Sequence, residues 1–209
     1  MSESTTLVWT APEDWQGGWH AEFARVDLSA GGLRAAGIQL GIHPCPYRLD
    51  YRVDAGGDGF ATRSLHVEAT GDGWERRLRL ERDPDREWTV EVGGGGRCEL
   101  PPPGGDPKHL AGALDCDLGF SPLTNAMPVL RHGLHRKPGT VEFLMAWVSV
   151  PDLSVHPLAQ RYTHLGATGD GARVRYESLE NGEVVFTQDL ELDPRGLVRL
   201  YPQLGRRIA

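Results

Sequence analysis

Apolar and polar residues alternate along most of this chain with period two, the signature of half-buried strands. Tyr47, Leu49, Tyr51 and Val53 share one face against Arg48, Asp50, Arg52 and Asp54. Arg63, Leu65, Val67 and Ala69 then oppose Ser64, His66, Glu68 and Thr70, and the pattern recurs at 74–81 and 88–92. A second series covers 140–150, 157–165, 174–178, 184–192 and 197–201. Between them stand turn signals: Asp58-Gly59, Gly71-Asp72-Gly73, Asp83-Pro84-Asp85, Asp170-Gly171, Asn181-Gly182 and Asp193-Pro194-Arg195-Gly196, the Asn-Gly step being the strongest two-residue hairpin signal. The expectation is an α+β, mainly β protein: about a dozen or more antiparallel strands in two groups, 19–92 and 140–204. One strongly curved sheet (a β-roll or half-barrel) wrapped around one short central helix accounts for that spacing.

The rest of the chain is less regular. Residues 1–18 read as a mostly irregular leader that packs through Trp9 and Trp15, followed by a single β-rich domain over 19–209. Trp19, Ala21 and Phe23 define one strand face, and a slip near Ala24–Arg25 predicts a bulge. Residues 93–112 form a Gly/Pro-rich connection, with room for a short strand around 97–100. Its four glycines lack the Gly-Lys-Ser/Thr ending of a phosphate loop, so a linker is the simpler reading.

Residues 113–135 hold a short strand within Gly112–Gly119 and the best helix candidate. Ser121-Pro122 is a plausible helix start, but Pro128 costs a hydrogen bond if it falls inside. The helix therefore begins near Ala126 or is kinked, and it ends at Gly133 or shortly after. At 140–150 both parities are apolar, Val141, Phe143, Met145 and Trp147 against Leu144, Ala146, Val148 and Val150. Such a strand needs cover on both faces, from the helix on one side and a partner subunit on the other.

Composition sharpens this. Glycine is 27 of 209 residues and proline 15, against an average glycine content near 7%. The longest stretch free of both, Trp19 to Ala30, is barely one average helix of about 11–12 residues. A net charge of −7 and a pI of 5.6 argue against nucleic acid and against a polybasic membrane anchor. No apolar run is long enough for a transmembrane segment, and the first residues lack a signal-peptide pattern. Cys45, Cys98 and Cys116 show no paired spacing, which suggests a reducing, cytoplasmic setting.

The candidate chemistry centres on Asp115 to Arg131. Asp115 and Asp117 lie two apart on a strand and point to one face. They serve a ligand, acid–base or metal chemistry, or, as a structural alternative, pair with arginines such as Arg63 and Arg131. His132 and His135 have helical spacing but are too few ligands for zinc. No metal or other cofactor is expected. Ser121 lacks a nucleophile-elbow context, and Cys116, between two acids, reads as a core thiol. Arg63, Thr124, Asn125, Arg131, Gln160, Tyr162 and Tyr176 could line a site for a polar headgroup, with Met145 and Trp147 taking an apolar tail. Alternatively they satisfy one another around the helix, or build a dimer contact.

The stretch Asp115-Cys-Asp-Leu-Gly-Phe-Ser-Pro-Leu-Thr-Asn-Ala-Met-Pro resembles the central motif of a bacterial family described as "putative glycolipid-binding". Thr62-Arg-Ser, Pro151-Asp-Leu, Gln160-Arg-Tyr, Tyr176-Glu-Ser and Gly196-Leu-Val-Arg-Leu-Tyr-Pro match in order, ending in Arg206-Arg207. The chain departs from that pattern at Leu130, where an arginine is usual, at Leu200, where an acid is usual, and in the insertion at 93–107. The resemblance implies a many-stranded antiparallel sheet wrapped around one helix, a tight homodimer, and a fold similar to bacterial lipoprotein carriers. It directs the functional expectation to a non-catalytic binding protein for a glycolipid or other amphipathic ligand. A hydrolase of glycosides or lipid esters using Asp115 and Asp117 is the alternative, and a dimeric structural protein the third.

Overall fold

The computed structural model describes residues 3–12, 18–57 and 59–209; Trp15 and Asp58, named above for leader packing and a turn, lie outside them. Seven strands precede the middle of the chain: β1 (Glu3–Thr10), β2 (His20–Ser29), β3 (Gly32–Gly41), β4 (Tyr47–Gly56), β5 (Thr62–Gly71), β6 (Trp74–Arg82) and β7 (Trp88–Gly96). A 3-10 turn (Pro107–Leu110), β8 (Asp115–Leu118) and α1 (Ala126–His132) occupy the centre. Then come β9 (Thr140–Val148), β10 (Val155–Thr168), β11 (Gly171–Glu180), β12 (Glu183–Leu192), β13 (Val198–Tyr201) and β14 (Gly205–Arg207).

All fourteen belong to one unclosed sheet ordered β7-β6-β5-β4-β3-β2-β1-β14-β13-β12-β11-β10-β9-β8. Sequence neighbours pair except β7 and β8, which form the two edges, and the two halves join where β1 meets β14, at Trp9↔Arg207 and Thr10↔Arg206. Glu3–Thr10, within the segment read as an irregular leader, is thus a strand in the middle of the sheet. β8 is the other exception, since it pairs β9 in parallel, whereas an all-antiparallel sheet was expected. Among the described residues no helix is long and apolar enough to cross a membrane.

The curl buries a core of two clusters. Its larger part joins inward residues of β1–β6, such as Trp9, Leu49 and Leu80, to Leu118, Met127 and Val148. A smaller part gathers Val129, Leu134, Tyr162, Val174, Leu190 and Leu192 on the other side of α1. Met127 and Val129, on one short helix, thus serve both parts. Pro128 stands at the third position of α1, where a missing N–H breaks no helical bond. The helix does not start at Ser121; it ends at Gly133 (φ 67), as expected. Both faces of β9 are covered by the chain itself. Ala146 and Val148 enter the larger core, and Phe143 stacks between His132 and Tyr162. No partner subunit is needed there.

Three further expectations change. Trp19 and Phe23 are about half exposed, while His20, Glu22, Ala24 and Val26 face inward. The pairing of β2 with β1 and β3 runs without a register shift, so no bulge occurs at Ala24–Arg25. Gly93 to Gly96 continue β7 rather than forming a linker. A Cβ on Gly94 would lie 2.2 Å from the Glu75 carbonyl oxygen, so the strand runs there because it lacks side chains. The rest of the connection is tied down, with Gly104 N–H bonded to the Leu153 carbonyl at 2.8 Å.

Candidate functional site

Asp115 and Asp117 project from β8 on the face shared with Trp147 of β9, its register partner at Asp117, and with Gln160 and Tyr162 of β10. Their environments differ. Asp115 is fully buried and accepts both arms of the Arg131 guanidinium, one at 2.7 Å. That pair closes on itself at the last turn of α1. Asp117, 7% exposed, meets no arginine. It accepts from Thr124 Oγ1 at 2.9 Å and from Gln160 Nε2 at 2.6 Å. Burial pushes its carboxyl up to about 6, against the opposing effect of those two donors.

A relay of hydrogen bonds fixes the amides around it. Gln160 gives its NH2 to Asp117, so its Oε1 remains to accept from Tyr162 OH at 3.4 Å. Tyr162 OH in turn accepts from Asn125 Nδ2 at 2.7 Å. Burial, with Asp117 next, holds the Tyr162 phenol well above its ordinary value, so it stays a donor. The amide of Asn125 is thereby oriented by its partners. Its Oδ1 is buried and has no hydrogen-bond partner.

Asp117 and Asn125 line a cavity of about 360 Å3 beside the β8–α1 loop, within the size range of small-molecule sites. Trp147, Tyr176, Phe186, Tyr201 and Phe120 supply aromatic surface. Tyr176 is packed edge-on against Tyr162 and Phe186, at 5.4 and 6.0 Å between centroids. Ser121, in the same wall, donates to Glu22 Oε1 at 2.6 Å. Glu22 also accepts from Tyr51 OH at 2.5 Å, and burial raises its carboxyl to about 7. A larger depression, about 800 Å3, lies on the outer sheet face among Phe23, Arg52 and Arg79. Its polar side chains are solvated, so it offers a ligand less.

Of the nine residues singled out in the sequence, Asp117, Asn125 and Tyr176 line the cavity. Thr124, Gln160 and Tyr162 stand behind and orient them. Asp115 and Arg131 form the separate ion pair. Arg63 does not join: it is exposed beside Gly56 and Gly57 and pairs with neither aspartate. Met145, expected to take an apolar tail, is fully buried, whereas Trp147 reaches the cavity. Glu22, Phe120, Phe186 and Tyr201 were not singled out, and Ser121 was set aside for want of a nucleophile-elbow context. Alternation pointed the wrong way at Glu22, and at Phe186 and Tyr201 it marks strands without saying which side chains reach a cavity. No cluster of three or more potential metal ligands occurs among the described residues.

A curled, unclosed β-sheet with a small half-open cavity, lined by aromatics and few polar anchors, is a β-roll in architecture. Residues 6–207 match the family described as "Putative glycolipid-binding", and the chain belongs to it. It is similar to a crystal structure of a DUF1089 family protein from Pseudomonas aeruginosa, with 25% identity and a TM-score of 0.67 over 90% of this chain and 92% of that one. It also resembles a β-barrel-like protein of domain of unknown function DUF1849 from Brucella abortus, at 10% identity and a TM-score of 0.48 over 99% and 95% of the two chains. No curated protein matches it.

Proposed function

We propose that this protein is a non-catalytic binding protein for one amphipathic molecule, of the glycolipid type that its family description names. The carrying observation is the 360 Å3 cavity, where Asp117 and Asn125, whose buried amide oxygen has no hydrogen-bond partner, share a wall with Trp147, Tyr176 and Phe186. Apolar burial supplies most of the affinity in such a site, and a few polar groups set orientation. The hydrolase reading required Asp115 and Asp117 side by side in an open cleft. Asp115 is instead buried against Arg131, which leaves one carboxyl where glycoside hydrolysis uses two. A homodimer and a cytoplasmic location remain part of the proposal. The exposed Trp19, Phe23, Leu40 and Ile42 on β2, β3 and their flanks support the first, and three free cysteines the second.

Native mass spectrometry of freshly purified protein, followed by organic extraction and lipid analysis, tests this. A bound amphiphile near one per chain is expected. Protein that stays ligand-free after incubation with extracted bacterial lipids would sink the reading. The same spectra report the subunit number.

A further inference from the structure

The cavity has a polarity that the family description does not specify. None of its lining residues is an arginine, lysine or histidine. The nearest guanidinium in the network, Arg131, is already committed to both oxygens of Asp115. In place of cations the wall offers hydroxyl and amide groups, from Ser149, Tyr176, Tyr201 and Gln203, and two acceptors with unused capacity. Asp117 has lone pairs beyond those used by Thr124 and Gln160. Asn125 Oδ1, on a side chain only 2% exposed, has no donor. Turning the amide to present its NH2 would make Tyr162 OH the donor to Oδ1 and cost that hydroxyl its 3.4 Å bond to Gln160. A buried acceptor left unmatched is costly, so the best occupant brings donors of its own.

We propose that the headgroup held here is an uncharged glycosyl unit, free of phosphate, sulfate or carboxylate, whose hydroxyls donate to Asp117 and to Asn125 Oδ1. This rests on the amphiphile-binding reading and narrows it. The apolar face of the sugar packs on the aromatic surface of Trp147 and Tyr176. An anionic headgroup would meet the Asp117 carboxylate in a poorly solvated site with no cation to offset the repulsion. A quaternary ammonium would suit the aromatics and the carboxylate, but it has no N–H for Asn125.

The test uses the full chain and four amphiphiles with one eight-carbon tail, each below its micelle concentration: octyl β-D-glucoside, octyl sulfate, octyltrimethylammonium and the tetraethylene glycol monooctyl ether. Calorimetry and tryptophan fluorescence read binding. The glucoside is expected to bind tightest, with the sulfate at least tenfold weaker and the ether also weaker. Asp117→Asn is expected to weaken the glucoside severalfold and to shrink the discrimination against sulfate. Sulfate binding equal to the glucoside's, or ammonium or ether binding tighter than it, overturns the headgroup inference and leaves the amphiphile reading standing. Failure of all four probes to bind overturns the amphiphile reading itself. The comparison on the unsubstituted protein decides the matter even if the variant does not fold.

Discussion

Ser121 Oγ donates to Glu22 Oε1 at 2.6 Å across 99 positions of sequence, tying the cavity wall to the second strand of the sheet. Glu22 is 1% exposed, and its other oxygen has no partner. Gln39, directly opposite on β3, likewise has an unpartnered Oε1. Two acceptors facing inward with no cation beside them favour a protonated Glu22. Burial, which raises its carboxyl to about 7, acts in that direction.

That arrangement makes stability depend on pH in a definite sense. An acid whose folded value lies above its unfolded one is held protonated by the fold. Its contribution is fully present below about 4.5 and is lost as pH rises through about 7. Glu22→Gln should therefore gain stability over the parent between those values, by on the order of 1–3 kcal/mol at pH 8. Below pH 4.5 the two should converge. His20, whose imidazole burial lowers to about 4, opposes this trend in both proteins, so the difference between them isolates Glu22. Thermal melts from pH 4.5 to 8 check it, and a constant difference across that range would refute the assignment.

The Arg131–Asp115 pair should behave differently. Arg131→Met leaves a fully buried carboxylate without its cation, at a cost of about 3–5 kcal/mol. Adding Asp115→Asn to that variant should recover much of the loss, since no charge is then stranded. Urea unfolding of the two single variants and the double variant gives the coupling directly.

Gly37 of β3 carries the ring of Tyr51, the second donor to Glu22. A Cβ there would lie 2.4 Å from the ring. Gly37→Ala must displace the tyrosine, and it should destabilise by about 1–3 kcal/mol from overpacking alone. Gly169→Ala, with nothing within 4 Å of the added carbon, should stay within about 0.5 kcal/mol of the parent. Equal melting points for the two variants would contradict the packing described.

Arg63 is exposed and remote from the cavity-lining residues. Arg63→Ala should leave amphiphile binding unchanged and alter stability by no more than about 0.5 kcal/mol. A binding defect, read by the same calorimetry, would restore Arg63 to the site.

Much of the fold was legible because alternation and turn chemistry are local. Tyr47 to Val53, Trp74 to Leu80 and the Asn181-Gly182 hairpin appear in the structure with the inward parity and the turn that the residues imply. The helix end at Gly133 was equally plain. Strand β3 and the C-terminal β14 were not recognised. β3 carries glycine at Gly37 and Gly41, where aromatic rings from β4 fill the missing volume. β14 has only three residues.

The central motif was recognised as a unit, and the structure divides it. Asp115 and Asp117 share a type, a strand and a face. One is neutralised by a guanidinium and the other is held by neutral donors beside a cavity. Spacing places both side chains on one face, but it carries no information about what the other strands bring to that face.

The sequence by itself determined the β-rich class, the period of each regular strand, most turns and the position of the short helix, because backbone sterics and neighbour patterning set these within a few residues. Tertiary structure alone decided which parity of β2 faces inward. Apolar Phe23 lies outside and Glu22 inside, because Tyr51 and Ser121 converge to satisfy the carboxyl. It also decided that the first strand joins the last and that the glycine tract lies in a strand. Above all it selected the few motif residues that reach the cavity. Each of these depends on contacts between residues far apart in the chain, and hydrogen-bond satisfaction in a closed interior is a property of the assembled sheet.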